Sequence, residues 1–216
     1  MRTIILISWL TLIAGGICRL FWQQEWKYRL PTPVPANYHA VAQGSQLSNQ
    51  ALLPQTPNDQ TPTYAEASVG KANSKPVFLH FFNPDCPCSR FNMPQVKELI
   101  REYGDQVNFI VVALAKENWT PEAIQSKFDL SVPVVTDSAL AATCGVYSTP
   151  QAAIIDAEKK LFYRGNYNRT RYCTDPKTNF AQIALEALLA RQPMPLFGDA
   201  AFKSYGCELP VTHNPL

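Results

Sequence analysis

Cys86 and Cys88 are the residues in this 216-residue chain whose type and spacing could do chemistry. They sit in Phe81-Phe82-Asn83-Pro84-Asp85-Cys86-Pro87-Cys88-Ser89-Arg90. An apolar β-like run, 77–82, leads in, and a helical pattern over about 93–103 leads out. A cysteine on a strand-to-helix turn meets backbone N–H groups and the positive end of a helix dipole, both of which stabilise a thiolate. The thiolate is the nucleophile of thiol–disulfide exchange, so Cys86 is the expected redox-active residue.

Its partner is open. Residues two apart lie about 200° apart around an ideal helix. A Cys86–Cys88 bond would therefore need a distorted first turn and would be readily reduced. Cys88 can resolve Cys86 in that way, or a distant cysteine can, with Cys173 and Cys144 the candidates. The pair could instead hold a soft ion such as Cu(I). Cys173 follows a polar loop, 165–172, whereas Cys144 ends a short helical pattern and reads as a small buried apolar residue. Cys207 lies in a tail, 197–210, and a structural bridge to Cys173 is one pairing open to it. Asp85 would raise the Cys86 thiol pKa and Arg90, one turn on, would lower it. His80 falls inside a predicted central strand and reads as a core histidine, while His39 and His213 read as solvated. No His or carboxylate cluster supports a zinc or iron site, and neither a metal nor another cofactor is expected.

The elements that must position these groups are legible from residue 76 onward. The spans 77–82 and 107–114 read as buried strands, and 93–103 as the helix between them. Thr120-Pro121 opens a second helix running to about Phe128. A short extended piece, 132–136, precedes a helix over 138–143 that Asp137 caps and Gly145 stops. Strands at 151–156 and 161–164 form a hairpin, and 176–191 reads as an amphipathic helix. The order β–α–β–α–β–α–β–β–α predicts a mixed sheet with helices on its faces, α/β in class.

Before this domain, residues 1–30 read as a membrane anchor with its juxtamembrane segment. Ile4–Trp22 is 19 residues, about 28 Å as a helix, which is roughly the hydrocarbon thickness. A cleaved signal peptide is the competing reading. The basic residues on either side lean towards a cytoplasmic domain, while the cysteines and the usual anchor orientation lean towards a periplasmic one, which is the expectation adopted. Residues 31–75 carry six of the 18 prolines among Gln, Asn, Ser and Thr, and read as a mostly disordered tether, with a short helical turn at 65–71. A net charge of +2 with scattered basic residues excludes an electrostatic footprint for nucleic acid.

Three features taken together resemble a known family. They are Asp85-Cys86-Pro87-Cys88-Ser89-Arg90 on a strand-to-helix turn, Cys144-Gly145-Val146-Tyr147-Ser148-Thr149-Pro150, and Ala153-Ile154-Ile155-Asp156 followed by Leu161-Phe162-Tyr163-Arg164-Gly165. Residues 76–191 resemble the thioredoxin-like superfamily, in its redoxin and membrane-tethered thiol–disulfide oxidoreductase branch. The resemblance implies a three-layer sandwich with a mixed central sheet in a domain covering 76–216. It also implies a cis peptide at Pro150 facing Cys86, with Thr149 offering backbone groups to an extended substrate. Partners would be protein thiols or disulfides and an electron donor or acceptor. The family's usual C-x-x-C is C-P-C-S here, with Ser89 at the second cysteine position. A peroxiredoxin-like thiol peroxidase is the alternative, although Asn83 stands where such enzymes place threonine. A copper-handling or assembly factor using the C-P-C pair is another.

Overall fold

A computed structural model describes residues 1–24, 26, 30–47, 75–115, 119–169 and 175–210. Helix α1, Arg2–Gln24, buries none of its side chains. It is long and apolar enough to cross a membrane by length and composition.

The domain is built on β1, Val77–Phe82, whose last five residues are buried. Its neighbours are β2, Asn108–Ala113, on one side and β5, Gln151–Ile155, on the other; β3, Val134–Val135, and β6, Leu161–Gly165, complete the order β3-β2-β1-β5-β6. β1 and β2 run parallel, as do β2 and β3, while β5 is antiparallel to both β1 and β6. Parallel neighbours need a crossover, and α2, Pro87–Tyr103, and α3, Pro121–Phe128, supply the two required.

Strand side chains alternate between faces, so β1 feeds two cores. Phe78 packs with Val96 and Leu99 of α2 and with Ala184 and Leu185 of α5, Phe180–Leu189. Leu79 and Phe81 pack on the opposite face with Leu140, Ala141 and Cys144 of α4, Ser138–Cys144. The result is a three-layer α/β sandwich of thioredoxin-like topology. Local caps fall where the sequence puts them. Thr120 accepts from the Ala123 N–H, Asp137 accepts from the Ala139 N–H, and Gly145 ends α4 at φ 67°.

Three boundaries differ from expectation. α2 starts at Pro87, because proline tolerates the first helical position; both motif cysteines thus belong to the helix start. The span 176–191 divides into a 3₁₀ turn, Pro176–Thr178, and α5, because Asp175 accepts from the Lys177 N–H and closes the turn locally. The third concerns the tether. Residues 30–47 lie along the domain: the Thr32 N–H donates to the Ser204 carbonyl, the Tyr38 hydroxyl to the Gly145 carbonyl, and Leu47 is 4% exposed. Isolated apolar side chains such as Val41 and Leu47 dock into a core built by other elements, which leaves no periodicity to detect. Residues 48–74, including the expected turn at 65–71, lie outside the described residues.

Candidate redox site

The turn after β1 is tied together by its own polar groups. Cys86 is the N-cap of α2, with extended backbone (φ −83°, ψ 121°) and Pro87 following. The Asp85 N–H donates to Asn83 Oδ1 at 2.9 Å, the Cys86 N–H to the Asn83 carbonyl at 3.0 Å, and the Asn83 N–H to Ser89 Oγ at 3.2 Å. Ser89, fully buried, therefore fastens the helix start to the strand end, which gives the departure from C-x-x-C a structural role.

Across from this turn, the Thr149–Pro150 peptide is cis, and the Cys86 Sγ lies 3.8 Å from the Thr149 carbonyl oxygen. Thr149 ends β4, Ser148–Thr149, which pairs antiparallel with β7, Cys207–Glu208, placing Thr149 opposite Cys207. Cys86 and Cys207 form a disulfide, Cα–Cα 6.2 Å, across a sequence separation of 121. Cys88 carries a thiol, and the sulfurs of Cys86, Cys88 and Cys207 all lie within 4.8 Å of one another.

The structure thus gathers Cys86, Cys88, Thr149, Pro150 and Cys207 into one site and corrects one candidate pairing. Cys207 bonds to Cys86, not to Cys173, because β7 adds to β4 and carries its cysteine to the α2 N-cap. Cys173 lies outside the described residues. Cys144 stands apart in the core beneath β1, where burial, against the opposing pull of Arg164, pushes its thiol up to about 12, which disfavours the thiolate at neutral pH. Cys207 as the partner of Cys86, and Gly206 before it, are what sequence reasoning missed. The Gly-Cys step in a Pro-flanked extended tail carries no local signal of where that tail docks.

The surroundings divide into an exposed and a buried part. Trp119 Nε1–H donates to the Asp85 carboxylate at 3.2 and 3.3 Å, and the Lys127 ammonium lies 4.5 Å from the Trp119 ring centroid. Asp85 is therefore engaged beside the cysteines rather than bare, and Arg90 is exposed. His80 is buried in β1 and shares a 2.8 Å hydrogen bond between its Nδ1 and the Tyr167 hydroxyl. Burial lowers its pKa to about 3, so the ring is neutral at physiological pH.

Sheet order, cis-proline and N-cap cysteine define a thioredoxin-like fold with three cysteines gathered at one site. The chain belongs to the family described as Domain of unknown function (DUF6436), whose family model matches residues 54–208. Among solved structures, it is similar to the hypothetical protein SMc02350 from Sinorhizobium meliloti 1021, with 17% identity and a TM-score of 0.61 over 80% of this chain and 96% of that one. An uncharacterized conserved protein from Geobacillus kaustophilus has 21% identity and a TM-score of 0.60 over 83% and 97%. The thioredoxin domain of thiol-disulfide oxidoreductase BVU-2223 from Bacteroides vulgatus has 15% identity and a TM-score of 0.45 over 62% and 96%. No curated protein matches the chain.

Proposed function

We propose that this protein is a thiol–disulfide oxidoreductase in which Cys86 is the nucleophile and Cys207 its resolving partner. The observation that carries the reading is the Cys86–Cys207 disulfide at the N-cap of α2, facing Thr149 and the cis Pro150. In the reduced protein, the Cys86 thiolate attacks one sulfur of a client disulfide. The other client sulfur leaves as a thiolate and takes up a proton, and a Cys86–client mixed disulfide forms. The Cys207 thiolate then attacks the Cys86 sulfur, the second client sulfur leaves, and the Cys86–Cys207 disulfide closes. The client gains two electrons and the protein loses two; an external dithiol must restore them, and the reverse sequence oxidises a client dithiol. Cys88, within reach of both sulfurs, is a third thiol through which the bond can be relayed.

Helix α1 anchors the domain as a single-pass span, with the domain on the periplasmic side. Its length and apolar character support this reading, as does a disulfide that suits an oxidising compartment. The test is turnover of a small disulfide probe by the full chain with dithiothreitol as donor. Cys86→Ser drops turnover to background under this reading, and unchanged turnover contradicts it. A second reading draws on the sulfur cluster itself: with all three reduced, Cys86, Cys88 and Cys207 present a thiolate set suited to a soft ion such as Cu(I). One equivalent of Cu(I) held against a strong chelator, and lost in Cys88→Ser, would favour it.

A further inference from the structure

The groove that faces Cys86 is already filled by the protein itself. We propose that Tyr205–Glu208 is a resident substrate strand, and that the client is an extended cysteine-bearing peptide segment with glycine immediately before its cysteine. The client pairs with Ser148–Thr149 in the place of β7. This rests on the oxidoreductase reading above and names the substrate class of that same site.

Four observations carry it. First, β4 and β7 form a two-stranded sheet separate from the five-stranded one, so among the described residues the edge leading into Pro150 pairs with the chain's own tail. Second, Gly206 has φ 152°, and a Cβ there would stand 2.2 Å from the Thr149 carbonyl oxygen and 3.0 Å from its carbon. The backbone before the cysteine comes so close to β4 that only a residue without a side chain fits, and a client strand taking the same course meets the same limit. Third, Cys86 is 2% exposed while Ser148 and Thr149 are fully buried; a client reaches Cys86 only when β7 leaves. Fourth, the tail is held by a short polar seam that can be exchanged. The Gln151 Nε2–H donates to Ser204 Oγ at 2.7 Å and the Thr32 N–H to the Ser204 carbonyl at 2.8 Å. Ser148 Oγ, Thr149 Oγ1 and Gln151 Oε1, buried nearby, have no hydrogen-bond partner among the described residues, so removing β7 gives them access to water or client groups.

In the reduced protein the covalent link is gone, and β7 is retained by this seam, by its two-residue pairing with β4, by the Pro31–Tyr205 bridge, by the 3.4 Å hydrogen bond from the Thr32 hydroxyl to the Gly206 carbonyl, and by Leu209 against the core. A client strand displaces it, the Cys86 thiolate attacks the client cysteine sulfur, and the outer client sulfur leaves as a thiolate. The return of β7 then does two things at once. Its pairing with β4 evicts the client strand, and the Cys207 thiolate takes the Cys86 sulfur as the client thiolate departs.

The test uses the full chain in detergent, carrying Cys88→Ser and Cys207→Ser so that adducts at Cys86 persist. Two peptides are compared, Ser-Tyr-Gly-Cys-Glu-Leu and Ser-Tyr-Ala-Cys-Glu-Leu, each activated at cysteine as its nitrothiobenzoate disulfide. Nitrothiobenzoate release gives the rate, and mass spectrometry of the Cys86 adduct gives the product. The expected result is a Gly-Cys peptide faster by roughly tenfold or more, the scale of one added methyl group in a fitted site, with its rate raised further by Gly206→Val, which pushes β7 off Thr149. Equal rates for the two peptides overturn the glycine requirement, and a rate unmoved by Gly206→Val overturns the claim that the tail blocks the site. A Cys86 that reacts with dithionitrobenzoate but with neither peptide overturns this inference alone. A Cys86 inert to dithionitrobenzoate as well overturns the oxidoreductase reading with it.

Discussion

The two halves of the Cys86–Cys207 disulfide are held in very different ways. Cys86 caps a 17-residue helix that packs against the central strand of a five-stranded sheet, and it is 2% exposed. Cys207 belongs to a two-residue strand, is half-buried, and follows a glycine. One sulfur is fixed by the two cores and the other is delivered by a short backbone pairing. In the proposed reaction, that contrast separates a nucleophile held in register with Pro150 from a partner that comes and goes.

Perturbing each half in turn tests that difference. The largest effect falls on the anchored half: Cys86→Ser abolishes exchange down to the uncatalysed background, whereas Cys207→Ser still forms the mixed disulfide and stalls there. Mass spectrometry of trapped adducts distinguishes the two. Reducing the disulfide comes next, because it opens a loop of 121 residues and removes up to about 5 kcal/mol of chain-entropy stabilisation. Denaturant midpoints with and without dithiothreitol measure this, and hydrogen exchange should rise first at 204–208. Single core truncations should then be unequal. Phe81→Ala in β1 costs about 3–5 kcal/mol, while Leu209→Ala, half-buried beside the tail strand, costs about 1 kcal/mol or less. Equal costs would erase the distinction between the halves.

A separate effect is one of pH, and it belongs to the sheet half. His80 has its pKa lowered to about 3 in the folded protein, against 6.5 ordinarily. Between those values the unfolded chain binds a proton that the folded one does not. Stability therefore falls as pH drops through that window, by about 1.4 kcal/mol per unit from this group. Above pH 6.5 the group has no effect. His80→Gln, which keeps an acceptor for Tyr167, should flatten the slope relative to the parent chain in urea titrations at pH 4 and pH 7.

The parts legible in the sequence are those whose signal is local. The apolar run of β1, the Thr120-Pro121 and Asp137 helix starts, the stop at Gly145 and the hairpin after Gln151 each reside in a few adjacent residues, and the structure places them within a residue or two. The place of Cys86 on a strand-to-helix turn followed from the patterns on either side of it, and the cis Pro150 from the motif resemblance. What stayed hidden is long-range. Nothing near Cys207 says that β7 will add to β4, since a two-residue strand has no periodicity. Ser89 reads as a missing cysteine until its hydroxyl is seen holding the Asn83 N–H. Likewise, the Pro-rich start of the tether hides single side chains that dock into a core completed elsewhere. The candidate Cys207–Cys173 bridge gives way to Cys86–Cys207 for the same reason: the sheet edge decides the contact, and nothing local shows it.

Cys86 and Cys207 are proposed to form one redox couple. The most direct measurement equilibrates the full chain across a graded dithiothreitol series, alkylates the thiols and maps the peptides without reduction. The account predicts that Cys86 and Cys207 become modifiable together, along a single two-electron curve, and that the linked fragment lost on that curve joins those two residues. Cys207 found linked to Cys173, or Cys86 modified independently of Cys207, would contradict it.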